Sequence, residues 1–323
     1  MSKTNPQIIL VMGVTGVGKS TFIKHATGSN VDVGHGQSSC TANVKCFQIP
    51  QTNVYLMDTP GFDDTYISDA DILKEIATSL VDAFHEKAEI QGALYVHPVI
   101  EARMRGSGRK NLIMFRKVLG MKGMRNVRLV TTKWSQVDPE KGREREEELC
   151  QKEEFWQPLL AAGASAVRFG DSMESAIEII KPLIHGPAFE PQLVEEVVRD
   201  GKPLSQTQAG KVVNDDIAEA QKMHKAEMEQ LARDMKEAGD KRDFAFRAEL
   251  AAERDDHAKK LKKLEADSRV IAAPVKKTGG FGRWVARTAA IAVGGAATFL
   301  SGGLLAGHAL LLYGATEAAI NDD

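Results

Sequence analysis

The chain has 323 residues and a formal net charge of -2, with 27% charged and 43% hydrophobic residues. That length admits one large domain with an appendage, or two domains, and the near-neutral balance argues against general nucleic-acid binding. Cys40, Cys46 and Cys150 share no metal-ligand spacing and leave one thiol over in any disulfide scheme, which suits a reducing cytosol.

The opening Met1-Ser2-Lys3-Thr4-Asn5-Pro6 is polar and lacks a secretory apolar run, so a cytoplasmic location is expected. Ile8-Ile9-Leu10-Val11-Met12 then reads as a buried parallel strand. Directly after it, Gly13-Val14-Thr15-Gly16-Val17-Gly18-Lys19-Ser20 fits the phosphate-loop pattern G-x-x-x-x-G-K-S, and residues 20–25 open a helix. The glycines let successive N–H groups face one phosphate, and the helix adds its positive end, so Gly13 to Thr21 are the expected phosphate contacts. Lys19 is expected on the β- and γ-phosphates, and the Ser20 hydroxyl on Mg²⁺.

Residues 28–41 form a long polar loop. Residues 44–49 alternate like a strand, Gln51-Thr52-Asn53 reads as a turn and 54–57 as the next strand, which predicts a hairpin. The second strand ends in Asp58-Thr59-Pro60-Gly61, where a carboxylate can hold Mg²⁺ and the Gly61 N–H can meet a γ-phosphate. The other metal ligand then falls in the preceding loop, with Thr41 first and Ser38 and Ser39 as rivals. Closing that loop on metal and γ-phosphate would make a two-state switch.

Beyond it, the pattern predicts a helix over 69–86, a strand over 91–96 and a basic loop over 97–108 with Arg103 and Arg105. A further helix, a strand over 127–131, a charged helix over 139–162, a strand over 166–169 and a helix over 173–184 follow. The alternation predicts an α/β fold with a mostly parallel sheet and helices on both faces.

The phosphate loop, the Thr41 region, Asp58-Thr59-Pro60-Gly61-Phe62 and Thr132-Lys133, in that order, resemble the GTPases of the translation-factor-related (TRAFAC) class. More narrowly they resemble the septin/Toc/GIMAP branch, over residues 7–185. The resemblance implies GTP/GDP with Mg²⁺, and base contacts at Thr132, Lys133 and the position of Ser135. Two departures follow. The family's aspartate, which takes two hydrogen bonds from guanine, is replaced by Ser135, whose hydroxyl cannot make that charge-assisted pair. Asp138 is the nearest carboxylate that could bend back. Phe62 stands where Ras-like enzymes carry a water-orienting glutamine, which implies slow intrinsic hydrolysis. In GIMAP-like relatives an arginine crosses a homodimer through the nucleotide face, and Arg103 and Arg105 both fall in the comparable loop.

Pro187 and Pro191 mark a boundary. Residues 1–187 are expected to be the G domain, 188–272 a helical or coiled-coil extension, and 273–323 a basic linker with a hydrophobic Gly/Ala-rich tail. Val213, Ile217, Ala220, His224, Met228, Leu231 and Met235 follow helical spacing, and the stripe breaks near Gly239. A weak coiled coil, a hairpin folding back at Gly239 and a single solvated helix all fit. Residues 288–316 carry no formal charge, and as one helix would reach roughly 43 Å, enough for a membrane span. Gly294-Gly295, Gly302-Gly303 and His308 fit a buried or interfacial hairpin equally well. The expected function is a GTP-controlled association switch with slow hydrolysis, the alternative a non-hydrolysing nucleotide-bound scaffold.

Overall fold

The computed structural model describes residues 5–29, 44–62, 67–101, 104, 106–240 and 244–281. Six strands, β1 (Gln7–Met12), β2 (Lys45–Gln48), β3 (Val54–Asp58), β4 (Glu89–Pro98), β5 (Val127–Thr132) and β6 (Ser165–Arg168), form one sheet in the order β2-β3-β1-β4-β5-β6. Only the β2–β3 pairing is antiparallel among these contacts, the expected hairpin, and the other four are parallel. The nearly continuous apolar runs of β1 and β4 follow from this, because a parallel sheet covered on both faces buries every side chain.

Period-two alternation divides the core. Ile8, Leu10 and Met12 face one side of the sheet, with Ala93, Tyr95 and Leu129, while Ile9 and Val11 face the other, with Leu94, Val96 and Val130. The second face is covered by α1 (Lys19–Thr27) through Phe22, Ile23 and Ala26, and by α6 (Met173–Ile184) through Ile179, Ile180 and Leu183. The first face carries α2 (Asp69–His85) and α3 (Gly106–Leu119). Ser68 caps α2 by accepting the Asp71 N–H, and its apolar positions Ile72, Leu73, Ile76 and Leu80 recur at helical spacing into the core.

The helix expected over 139–162 is two helices. α4 (Pro139–Gln151) ends, Phe155 and Trp156 turn inward, and α5 (Gln157–Ala161) restarts with Pro158 in its first turn. Trp156 is fully buried, and a continuous charged helix could not deliver it there. The basic stretch also differs from a simple loop: β4 runs through Pro98 and α3 begins at Gly106.

After α7 (Gln192–Val194), whose Leu193 and Val194 join the first-face core, come α8 (Gln208–Asp240) and α9 (Phe244–Ala272). They pack against each other as an antiparallel pair, so of the three readings of this stretch the hairpin is the one observed. At about 50 Å, α8 projects well beyond the sheet. Its root does not: Ala209, Val213 and Ile217 of α8 and Ile271 at the end of α9 lie in the same core as α2 and α3. Gly210 permits that approach, since a Cβ there would stand 1.8 Å from the Leu204 carbonyl oxygen. Lys110 pins the root by bridging Asp69 at 2.5 Å and Asp216 at 2.6 Å. Near the tip, a small cluster of Leu231, Ala238 and Leu250 holds the two helices together.

No described helix is long and apolar enough to cross a membrane, and the uncharged segment 288–316 lies outside the described residues.

Candidate functional site

The strand registers bring the expected residues to one edge. Val11 pairs with Asp58, Met12 with Tyr95, and Pro98 with Thr132. The C-terminal ends of β1, β3, β4 and β5 therefore line up, and the turns leaving them converge where parallel α/β sheets bind ligands.

The first turn is the phosphate loop. Gly13, Gly16 and Gly18 hold φ of 148°, 83° and 107°, a region that a side chain disfavours. Space is as demanding as torsion at Gly13, where a Cβ would lie 2.4 Å from the Val96 carbonyl oxygen. Val17 is buried as the loop's apolar foot, whereas Thr15 and Gly16 are exposed at its rim and Val14, Ser20 and Thr21 are half-buried. Gly18 is the N-cap of α1 and supplies no side-chain cap, and the first turn holds no acid. The first amides of α1 are thus left for an external anion. The Lys19 ammonium is buried within the loop and donates to the Gly13 carbonyl at 2.8 Å and the Val14 carbonyl at 3.1 Å.

Asp58 ends β3 fully buried beside that loop. Thr59 ties the turn to β1, its N–H and hydroxyl both donating to the Val11 carbonyl at 3.2 and 3.1 Å. Gly61 is buried where a Cβ would meet Gly13 and Thr15 backbone atoms. Burial, with the Asp58 carboxylate nearby, pushes the Cys46 thiol well above its ordinary range. Cys46 is therefore an inert core group. Phe62 is 1% exposed and packs with Met57 and Ile76 in the first-face core, so its ring points away from solvent.

Thr132 joins the third turn to the first, its hydroxyl donating to the Val17 carbonyl at 2.6 Å, and its side chain lying 3.5 Å from a Cβ on Gly18. Lys133 follows in the left-handed conformation with φ 62°, and Ser135 is exposed on the short turn Trp134–Gln136. Asp138 does not bend back toward a base. Its Oδ1 accepts the Glu140 and Lys141 N–H groups, both at 3.1 Å, and caps α4.

Two residues that motif reading missed fix this turn. Arg168, at the end of β6, stacks on Trp134 at 4.2 Å, and its Nε donates to Glu146 at 2.7 Å. Glu146 also accepts from the Thr131 hydroxyl at 2.9 Å, and Trp134 Nε1 donates to that hydroxyl at 3.0 Å. No fixed spacing marks such a network, because its members come from four separate elements. Arg109 is in α3 and pairs with Glu154 at 2.6 Å. Thr41, Ser38, Ser39, Arg103 and Arg105 lie outside the described residues. Far from this edge, His224 and His257 meet across the hairpin with their Nδ1 atoms 3.0 Å apart, yet no group of three or more metal-ligating side chains occurs among the described residues.

The arrangement fits a magnesium nucleotide. A cradle that a single Cβ would fill, an uncapped helix start, a buried ammonium and an all-oxygen pair in Ser20 and Asp58 suit a triphosphate with a hard divalent cation.

Residues 8–120 match the family model described as 50S ribosome-binding GTPase. That model describes a P-loop GTPase domain, and the match takes in the phosphate loop and the Asp58–Gly61 turn, over about a third of the chain. No protein with a curated description matches the sequence. Among solved structures, it is similar to Toc33 from Arabidopsis thaliana with Mg²⁺ and GMPPNP, at 19% identity over 51% of this chain and 70% of that one, TM-score 0.40. Bacterial selenocysteine-specific elongation factor EF-Sec gives 21% identity, 56% and 29% coverage, and TM-score 0.41. Elongation factor SelB from Methanococcus maripaludis with GppNHp gives 15%, 58% and 36%, and 0.35. The chain thus spans about a third of either elongation factor's length.

Proposed function

We propose that this protein is a slow Mg²⁺-dependent GTPase whose nucleotide state controls association. The observation that supports this best is the convergence of Gly13, Lys19, Asp58, Gly61 and Thr132 at one sheet edge. In this reading the loop amides and Lys19 hold the β- and γ-phosphates, and Gly61 senses the γ-phosphate. Ser20, Asp58 and Thr41 would hold a magnesium ion, which would neutralise charge on the phosphate oxygens. Thr132 and Lys133 take the base side. Ser135 offers a hydroxyl where a carboxylate would select guanine, so base discrimination is weak, on the order of 2–3 kcal/mol below a carboxylate site.

Phe62 supports the low rate. A buried apolar ring cannot orient an attacking water, and Arg103 or Arg105 of a second copy would supply the missing charge stabilisation. Three parts of the chain then divide the work. Residues 1–187 hold nucleotide in the cytosol, 188–272 form an arm for association, and 273–323 attach the protein to a partner or membrane surface.

Single-turnover GTP hydrolysis, measured with Mg²⁺ over a hundredfold range of protein concentration, tests the reading. Turnover per molecule should rise with concentration and vanish in Lys19→Ala. A flat dependence removes the trans arginine. Turnover that is absent at every concentration favours the second reading, a nucleotide-bound scaffold, which the Phe62 burial and Ser135 also support.

A further inference from the structure

Helix α2 carries a buried carboxylate that takes no part in the nucleotide edge. Asp82, near the end of α2, is 2% exposed. Four donors from one short stretch beyond α9 converge on it. The Thr278 N–H reaches Oδ1 at 2.7 Å and the Thr278 hydroxyl reaches Oδ2 at 2.5 Å. The Gly279 and Gly280 N–H groups follow at 3.2 and 2.9 Å. Successive amides bent around one anion form a nest, and Gly279 permits the bend with φ 67°. Burial pushes the Asp82 carboxyl up, but the Thr278, Gly280 and Gly279 donors outweigh it and hold the group below its ordinary value.

The contact continues on either side. Phe281 is 6% exposed, belongs to the first-face core, and meets the Tyr55 ring edge-on at 6.5 Å. Lys277 lies 3.8 Å from Glu86. Polar, aromatic and charged contacts thus fasten five consecutive residues, 277–281, to α2, its C-cap and β3, at the last described point before residues 282–323.

We propose that residues 278–281 are a clasp, that Asp82 and Tyr55 are its docking site, and that nucleotide state sets whether it is closed. Tyr55 precedes Asp58 on β3, and α2 is the first helix after Gly61 among the described residues. The docking site therefore flanks, on both sides in sequence, the turn assigned to the γ-phosphate. Movement of that turn reaches α2 through the chain, and α2 holds the anchor. The docking contact stands on the distances alone, whereas its coupling to nucleotide rests on the switch reading above.

Hydrogen exchange on the full chain tests both parts, because the Gly279 and Gly280 amides are themselves the reporters. With GDP bound, they should exchange about tenfold more slowly in the wild type than in Asp82→Ala. A non-hydrolysable GTP analogue with Mg²⁺ should change the wild-type rate about threefold or more, and leave Asp82→Ala unchanged. Thr278→Val, which keeps the exposed position and the amides, should show an intermediate loss of protection and covers the case in which Asp82→Ala fails to fold. Wild-type exchange as fast as in both variants overturns the clasp. Measured nucleotide binding with identical exchange in both states overturns the coupling. Absence of any nucleotide binding overturns the switch reading and the coupling with it, and the variant comparison then judges the clasp by itself.

Discussion

A Cβ on Gly61 would stand 2.9 Å from the Thr15 backbone nitrogen. The turn after β3 and the phosphate loop therefore meet backbone to backbone, with no room for a side chain between them. Gly61→Ala must displace one of the two. It should weaken binding of a GTP analogue by about tenfold or more, equivalent to roughly 1.4 kcal/mol, while GDP binding changes less. Calorimetric titration with both nucleotides checks this.

The Thr132 hydroxyl ties the base side of the edge to the phosphate side through the Val17 carbonyl at 2.6 Å. Thr132→Val keeps the shape and leaves that buried carbonyl without this donor. The expected cost is about 1–2 kcal/mol in unfolding stability, with a parallel loss of nucleotide affinity. Denaturant unfolding with and without nucleotide separates the two effects.

Much of this site was legible because its chemistry is local in sequence. A phosphate loop needs its glycines, lysine and serine side by side, and Asp58 to Gly61 must sit at a strand end. The parallel sheet followed from apolar runs, the β2–β3 hairpin from its turn, and α6 emerged with its expected bounds. What stayed hidden depends on distant partners. Trp156 breaks the charged helix because the core takes it in, and the Arg168, Trp134 and Glu146 network joins three elements. Periodicity alone could not decide between a single helix and the α8–α9 hairpin, since a thin apolar stripe suits either. Asp82 carried no signal at all until Thr278 was placed beside it.

Ser135 is exposed, and Asp138 is engaged as a helix cap. Restoring a carboxylate with Ser135→Asp should therefore raise GTP-over-ATP preference by about 30–100-fold, with little change in stability. Competition between the two nucleotides on the variant and the wild type measures it.

His97, near the end of β4, is 4% exposed, and burial lowers its pKa to about 4. Folding thus keeps the ring neutral where the unfolded chain would bind a proton, so stability is lost on acidification. The loss should begin near pH 6.5 and run to about pH 4, reaching about 3 kcal/mol. Denaturant midpoints across that range should fall for the wild type and flatten for His97→Gln. A wild-type midpoint independent of pH there would contradict the assignment.

The most direct measurement is equilibrium binding of GTP, GDP and ATP to the full chain in Mg²⁺, for the wild type and Lys19→Ala. The Lys19 ammonium, buried within the phosphate loop, sits on the Gly13 and Val14 carbonyls. The wild type should hold guanine nucleotide, and Lys19→Ala should bind it about 100-fold more weakly with its fold intact. If the wild type retains no purine triphosphate, or the variant binds one equally well, then this sheet edge is not a nucleotide site.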